Sequence, residues 1–393
     1  MPVPTVRLRN HRDARVKGGH PWVFSNEIAD DVATLPAGGV VDVVDPKGAF
    51  VGRGTANPRS LIAVRLWSRS REDLDGPDWF AARLTAAVAR RAAALPGRTA
   101  YRLVHGEADG VPGLVIDRYH DVVVVQIGAL GVELRKDALH QALRDVLSPR
   151  AIVLRSEGPA RGLEGLDDER RVWSGDLTGP VEIDENGVRF RVDVLDGQKT
   201  GHFFDQSENR RFMGERCAGA TVLDVYANSG GWALYAMRGG ARSATAVDRS
   251  AGCVDAIRAN AGLNGVAVEA VQDDGQAYLQ RLVDAGARFD AVVLDPPAFA
   301  KNRKAAGAAL RGYRKINALG AALVRPGGWL FTSSCSWHVD EERFVDAVAS
   351  GARDAGKQLR IVRRGEQAPD HPVLPEVPET RYLKSLAALV EDR

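Results

Sequence analysis

Thr221-Val222-Leu223-Asp224-Val225-Tyr226-Ala227-Asn228-Ser229-Gly230-Gly231-Trp232 is the stretch that decides the fold. A short apolar run closes on tandem glycines just before a helical pattern, as at the first turn of an open α/β sheet. Glycines after a buried strand let the backbone approach a ligand closely. Further strands follow at regular intervals: SATAVD (243–248), VEAVQDD (268–274), FDAVVLDPP (289–297), GWLFTSSCS (328–336), LRIVRRGE (359–366) and YLKSLAALV (382–390). Helical patterns fall between them, including one from Ala305 to Val324 that stops at Pro326-Gly327-Gly328. The alternation predicts an α/β domain with a Rossmann-like sheet of seven strands, mostly parallel.

Ligands of such sheets bind outside the carboxyl ends of the strands, so the residues placed there carry the functional reading. The first strand leads into Asp224, Tyr226, Asn228, Ser229 and Gly230. Asp248 ends the second, where an acid can hydrogen-bond both hydroxyls of a ribose. Asp273 and Asp274 end the third, within reach of the exocyclic amine of an adenine. Three acidic strand ends without a phosphate cradle fit S-adenosylmethionine better than a dinucleotide. The fourth strand closes on Asp295-Pro296-Pro297-Ala298-Phe299, an imperfect version of the (Asp/Asn)-Pro-Pro-aromatic tetrad that holds a target amine. Prolines there cannot continue the ladder and stiffen an exposed loop. The fifth reaches Cys335 on the same rim. Its thiolate is a nucleophile of the kind that activates carbon-5 of a pyrimidine by adding at carbon-6; the alternative is a small buried hydrophobe.

The chain has 393 residues, 45% hydrophobic and 26% charged, with a net charge of +2, so two or three globular domains are expected and a polyanionic partner is neither favoured nor excluded by charge. Cys217, Cys253 and Cys335 form no CxxC pair, which argues against zinc or a disulfide framework and predicts no metal. No signal core and no run of 18 apolar residues is present, so a soluble cytoplasmic protein with no membrane partner is expected.

Residues 1–71 read as a small β-barrel of short strands. Within them Trp22 and Phe24 stand beside Arg15 and Lys17; aromatics next to cations stack on and neutralise nucleic acid, or else the two rings plug the small core. Residues 72–180 read as a small middle α/β domain, with a helix from Trp79 to Ala94, a hairpin turning at Tyr119-His120-Asp121, a helix near Glu133 to Leu147 and a strand at 151–157. Residues 181–393 form the sheet domain, introduced by a hairpin at 181–197.

Taken together, GGHPWVFSNEI (18–28), LDGQKTGHFFDQSENRR (195–211), DVYANSGGW (224–232), DPPAFAKNRK (295–304), SSCSWHV (333–339) and APDHPVLPEVPETRYLK (368–384) closely resemble the bacterial 23S ribosomal RNA large-subunit methyltransferase I family, over nearly the whole chain. The resemblance implies a PUA-like RNA-binding domain, a middle domain and a class I S-adenosylmethionine-dependent methyltransferase domain that forms 5-methylcytosine. It implies Cys335 as the attacking thiolate and Asp295 against the base. Asp224, Asp248 and Asp274 would hold the cofactor, capped by Gln198, Lys199, Thr200, Asp205 and Gln206, with Arg210 as the signature's terminal basic residue. It also implies ribosomal RNA of the large subunit as partner and a homodimer. Pro297 or Ala298 stands where many RNA cytosine-5 enzymes carry a second cysteine, so the base that removes the carbon-5 proton is unassigned. Methylation of a base nitrogen, and a ribosome-assembly factor without catalysis, are the alternative readings.

Overall fold

A computed structural model describes residues 2–197, 200–300 and 302–393. They divide into two compact units, one of Met1–Ile183, Val192–Phe204 and Pro369–Thr380, the other of Asp184–Arg191, Asp205–Ala368 and Arg381–Arg393.

The first unit opens with β1 (Thr5–Arg7), β2 (Trp22–Phe24), β3 (Val40–Val44), β4 (Phe50–Ala56) and β5 (Ile62–Ser68), arranged in the order β1-β3-β4-β5-β2. A bridge between Leu8 and Ile28 joins the two edges into the expected small barrel. Its core is Val6, Leu8, Val16, Val23, Ile28, Val41, Val43 and Val64. The pleat of β2 turns Val23 inward and leaves Trp22 and Phe24 half-buried, so the core is plugged by valine and the aromatics lie outside it.

Next come β6 (Ala100–His105), β7 (Leu114–Tyr119), β8 (Val122–Ile127), β9 (Ala151–Ser156) and β10 (Glu169–Gly175), in the order β10-β9-β8-β7-β6. β8 and β9 are parallel, joined through the helix Lys136–Leu147. That helix and Pro77–Ala94, which starts on a proline whose missing N–H costs nothing at that position, cover one face through Phe80, Leu84, Leu139 and Leu143. The two outermost strands, β6 and β10, were not expected. Edge strands carry charge instead of alternation, and ERRVWSG in β10 reads as a polar segment for that reason.

The hairpin of β11 (Val181–Glu185) and β12 (Val188–Val192) precedes the seven-stranded sheet of the second unit. Its members are β13 (Thr221–Val225), β14 (Ser243–Asp248), β15 (Glu269–Gln272), β16 (Phe289–Leu294), β17 (Val324–Ser334), β18 (Lys357–Gly365) and β19 (Lys384–Asp392), in the order β15-β14-β13-β16-β17-β19-β18. The first five are parallel, and β19 runs antiparallel between β17 and β18. Strand order reverses between β13 and β16, which opens a crevice at their carboxyl ends. β17 begins at Val324, directly after the helix Ala306–Leu323, and carries Pro326-Gly327-Gly328 inside it. A register shift opposite Phe289–Ala291 absorbs that stretch, so the glycines form a bulge where a stop was expected. Among the described residues no helix is long and apolar enough to cross a membrane.

Candidate active site at the strand ends

Asp224 lies within β13 with no exposed surface. Its Oδ2 accepts from the Ala233 N–H at 3.0 Å in the helix Gly231–Arg238, and its Oδ1 has no hydrogen-bond partner among the described residues. The loop after β13 is sharply bent: Tyr226, Asn228 and Gly230 take φ of 67°, 49° and 82°. Two of these are non-glycine residues in the left-handed region, strain that a functional loop commonly stores. The bend points the Asn228 N–H at Asp248, whose Oδ2 accepts it at 2.9 Å while Oδ1 accepts from Ser250 at 2.9 Å. Asn260 secures the Ser229 carbonyl at 3.1 Å. A Cβ on Gly231 would crowd the Arg210 Cδ at 3.0 Å, and one on Gly275 would meet the Tyr226 ring at 2.7 Å.

The third strand end is partly committed to local structure. Asp273 is ion-paired with Arg281, and Asp274, exposed, caps the helix Gly275–Asp284 by accepting from Ala277 at 3.0 Å. A capping carboxylate keeps spare lone pairs, so neither role removes it from a ligand's reach.

On the neighbouring strand, Asp295 is gripped from both sides. The Trp232 indole donates to Oδ2 and the Gln206 amide to Oδ1, each at 3.0 Å. Asp205, one residue before Gln206, accepts from the Tyr382 hydroxyl at 2.5 Å. Arg210 is buried against Glu185, with contacts of 2.8 and 3.0 Å, and its positive charge reaches both Asp224 and Asp295. These acids repel one another in a dry setting. Burial, reinforced by Asp295 and Asp248, pushes Asp224 up to about 7 against the Ala233 N–H. Asp295 is likewise raised by burial, with the Asp205 charge adding to it and the Trp232, Gln206 and Arg210 contacts opposing it. Tyr226 is pushed up to about 12 by burial and by the charge of Asp274.

Cys335 follows β17, which pairs with β16 up to the Leu294–Thr332 register, so it shares the rim with Asp295. Ser334 and Ser336 are buried, Cys335 is half-buried and Trp337 is 48% exposed. The alternation turns the serines inward and the thiol and indole outward. Cys217 and Cys253 are buried, and burial pushes the former up to about 12. Among the described residues no group of three or more metal-ligating side chains is assembled.

Thr200 belongs to the first unit, where its hydroxyl donates to the buried Asp117 and its carbonyl accepts from Tyr119 at 3.0 Å. Gln198 and Lys199 lie outside the described residues. In the barrel, Arg15 donates to Glu27 at 2.8 Å and sits 4.8 Å over the Phe24 ring; Lys17 pairs with Asp13 and Asp45, each at 2.7 Å; Trp22 donates to Glu107 at 2.8 Å. Arg15, Trp22 and Phe24 are thus gathered together, Lys17 is held apart on Asp13 and Asp45, and both cations are balanced by acids. Sequence reasoning missed Trp232, which holds Asp295, and Lys384 beside Cys335; no local pattern marks either.

Clustered acids at the strand ends, a buried carboxylate oxygen without a partner and no phosphate cradle match a ligand with a sulfonium and an ammonium, the charges S-adenosylmethionine carries. Comparison with known proteins agrees. Residues 6–69 match a PUA-like domain, and residues 165–388 match the S-adenosylmethionine-dependent methyltransferase family. Ribosomal RNA large subunit methyltransferase I of Shewanella denitrificans is 39% identical over 98% of this chain and 99% of its own. Its namesake in Photobacterium profundum is 38% identical over the same shares. The crystal structure of SMU.776 complexed with SAH superposes at a TM-score of 0.84, with 21% identity, 99% of this chain and 100% of that one covered, and so shares the fold. The chain belongs to the S-adenosylmethionine-dependent methyltransferases, within the family named ribosomal RNA large subunit methyltransferase I.

Proposed function

We propose that the protein methylates carbon-5 of a cytosine in large-subunit ribosomal RNA, with Cys335 as nucleophile. The observation that carries this reading is the half-exposed thiol set between two buried serines, on the same rim as a carboxyl group held by Trp232 and Gln206. The thiolate adds to carbon-6, forming a C–S bond and moving the ring electrons toward carbon-5, N3 and O2. Asp295, raised by its burial, holds a proton against N3 and so stabilises the polarised ring. Bound S-adenosylmethionine supplies the electrophilic methyl group that carbon-5 takes up. The carbon-5 proton then passes to water, its C–H electron pair re-forms the C5–C6 double bond as the C–S bond breaks, and the thiolate leaves with aromaticity restored.

In the same reading Asp248 holds the ribose and Asp274 the adenine amine. Asp224, Tyr226, Asn228, Ser229 and Gly230 shape the pocket, Asp273 borders it, and Asp205 and Gln206 cap it. Arg15, Lys17, Trp22 and Phe24 bind the RNA, and the domains run 1–71, 72–180 and 181–393. The homodimer implied by the resemblance is checked by sedimentation.

Nitrogen methylation by an Asp-Pro-Pro-aromatic tetrad needs an aromatic ring offered to the base. Here Phe299 packs on Tyr313, with ring centroids 4.7 Å apart, which disfavours that reading. The test is tritiated methyl transfer to ribosomal RNA, with the product nucleoside identified by mass spectrometry. Wild type should give 5-methylcytidine, and Cys335→Ala should lose at least ~10³-fold in rate. An N-methylated nucleoside, or a Cys335→Ala enzyme of normal rate, overturns the proposal.

A further inference from the structure

The seat of Cys335 is built from three directions. Behind it, the Ser334 hydroxyl donates to the Tyr313 oxygen at 2.9 Å, and that oxygen is 3.0 Å from the Ser336 Oγ. From below, the Ala300 N–H donates to the Ser336 Oγ at 3.2 Å. From the side, β19 runs antiparallel to β17 in a register that sets Lys384 opposite Ser334. Lys384 is buried, and its ammonium donates to the Ser336 carbonyl at 2.7 Å, one residue past the thiol.

Ammonium groups are seldom buried unless paired. Among the described residues no carboxylate stands within ion-pair distance of this one, although the side chains of Asp340, Glu341 and Arg381 contribute to its field. Burial lowers Lys384 to about 8, and the largest opposing influence is a negative charge on Cys335. The same charge acts on Tyr313, adding to burial in keeping its hydroxyl protonated.

We propose that Lys384 is the positioning residue that keeps Cys335 as a thiolate, its ammonium anchored on the Ser336 carbonyl so that the positive charge stays beside the sulfur. The thiol S–H bond breaks with its electron pair left on sulfur and its proton passed to water. The ammonium holds the resulting charge until the C–S bond forms, and again when the thiolate is expelled. A neighbouring cation lowers a thiol by one or more pKa units, which sets the size of the effect.

This inference rests on the reading of Cys335 as nucleophile, so its test reads the thiol directly. The full-length protein is treated with iodoacetamide from pH 6 to 10, and alkylation at Cys335 is followed by peptide mass spectrometry. Lys384→Gln keeps a donor for the Ser336 carbonyl and removes the charge; Lys384→Met removes both; Lys384→Arg keeps the charge. Gln and Met should move the alkylation midpoint up by about one unit or more and slow the reaction near pH 7.5 by roughly tenfold, whereas Arg should restore it. Thermal melting confirms which neutral variant is folded, and either alone suffices. A folded neutral variant with the wild-type midpoint overturns the role of Lys384. The nucleophile reading falls separately, by a Cys335→Ala enzyme that still makes 5-methylcytidine.

Discussion

Two sets of buried acids in this protein are handled in opposite ways. In the first unit, Arg91 donates to both oxygens of Asp109 at 2.6 and 2.7 Å and to the Asp370 carbonyl at 2.7 Å. Arg102 clasps Asp117 at 2.8 and 2.9 Å, its N–H reaches Asp370 at 2.9 Å, and the other oxygen of Asp370 meets His371 at 2.8 Å. Burial works against ionisation of Asp370, yet His371 and Arg102 overcome it and hold the carboxyl below its ordinary range. At the strand ends of the second unit, Asp224 is as deeply buried, meets one backbone N–H and rises to about 7. Equal burial thus gives a satisfied scaffold in one place and a high-energy group in the other. The difference lies in partners, and a carboxylate left short of positive charge marks where a cationic ligand is bound.

The largest effect should come from erasing that shortage. The Asp224 pKa is raised on folding, so its contribution to stability is complete below about 4 and is lost as pH climbs through about 7. At 1.4 kcal/mol per unit the loss reaches up to ~4 kcal/mol. Asp224→Asn keeps an acceptor for Ala233 and removes the charge. The difference between variant and wild-type unfolding free energies, from urea titrations in the absence of cofactor, should therefore grow from pH 4 to 7 in favour of the variant. Parallel curves would mean that Asp224 is no worse solvated folded than unfolded. Asp370→Asn should behave inversely, costing stability at neutral pH and converging with wild type as pH falls below the ordinary carboxylate range.

Arg91→Met cuts the scaffold side of the comparison. Removing one partner of a buried pair strands the other, which typically costs 3–5 kcal/mol; Arg90, 2.8 Å from Asp109, offsets part of this, so ~3 kcal/mol is expected. Chemical denaturation measures it, and a loss below ~1 kcal/mol would show that the network is no more than a surface-grade pair.

How much of this was legible depended on how far apart in the chain the partners lie. Asp224, Asp248, Asp295 and Cys335 could be placed because every parallel strand delivers its carboxyl end to one rim, so local position suffices. The third strand end was ambiguous: adjacent Asp273 and Asp274 look alike in sequence, and only the fold shows the first paired with Arg281 and the second capping a helix. Trp232 meets Asp295 across 63 residues, Lys384 meets Ser336 across 48, and Arg102 meets Asp370 across 268. No periodicity encodes such pairs. In the barrel the alternation of β2 could have placed Val23 inside and the aromatics outside, but three residues are too few to fix the phase.

The smallest expected effect tests whether Asp295 depends on how it is held. Trp232→Phe removes the indole N–H donated to Oδ2, while a phenyl ring keeps the contact that the indole makes with Phe331, 6.4 Å between centroids. Asp295 acts in its protonated form, and a hydrogen bond to a neutral group contributes ~0.5–1.5 kcal/mol. The indole N–H orients the carboxyl as well as bonding it, and Gln206 still engages Oδ1, so at the upper end kcat should fall roughly tenfold. The lost bond stabilised the ionised carboxyl, so the Asp295 pKa should climb further above its already raised position, carrying the matching limb of the kcat–pH profile to higher pH. A tenfold fall with an unmoved profile would assign Trp232 to packing alone. An unchanged rate with an unchanged profile would show that Gln206 by itself orients the carboxyl, and that the two-sided grip on Asp295 has no part in the chemistry.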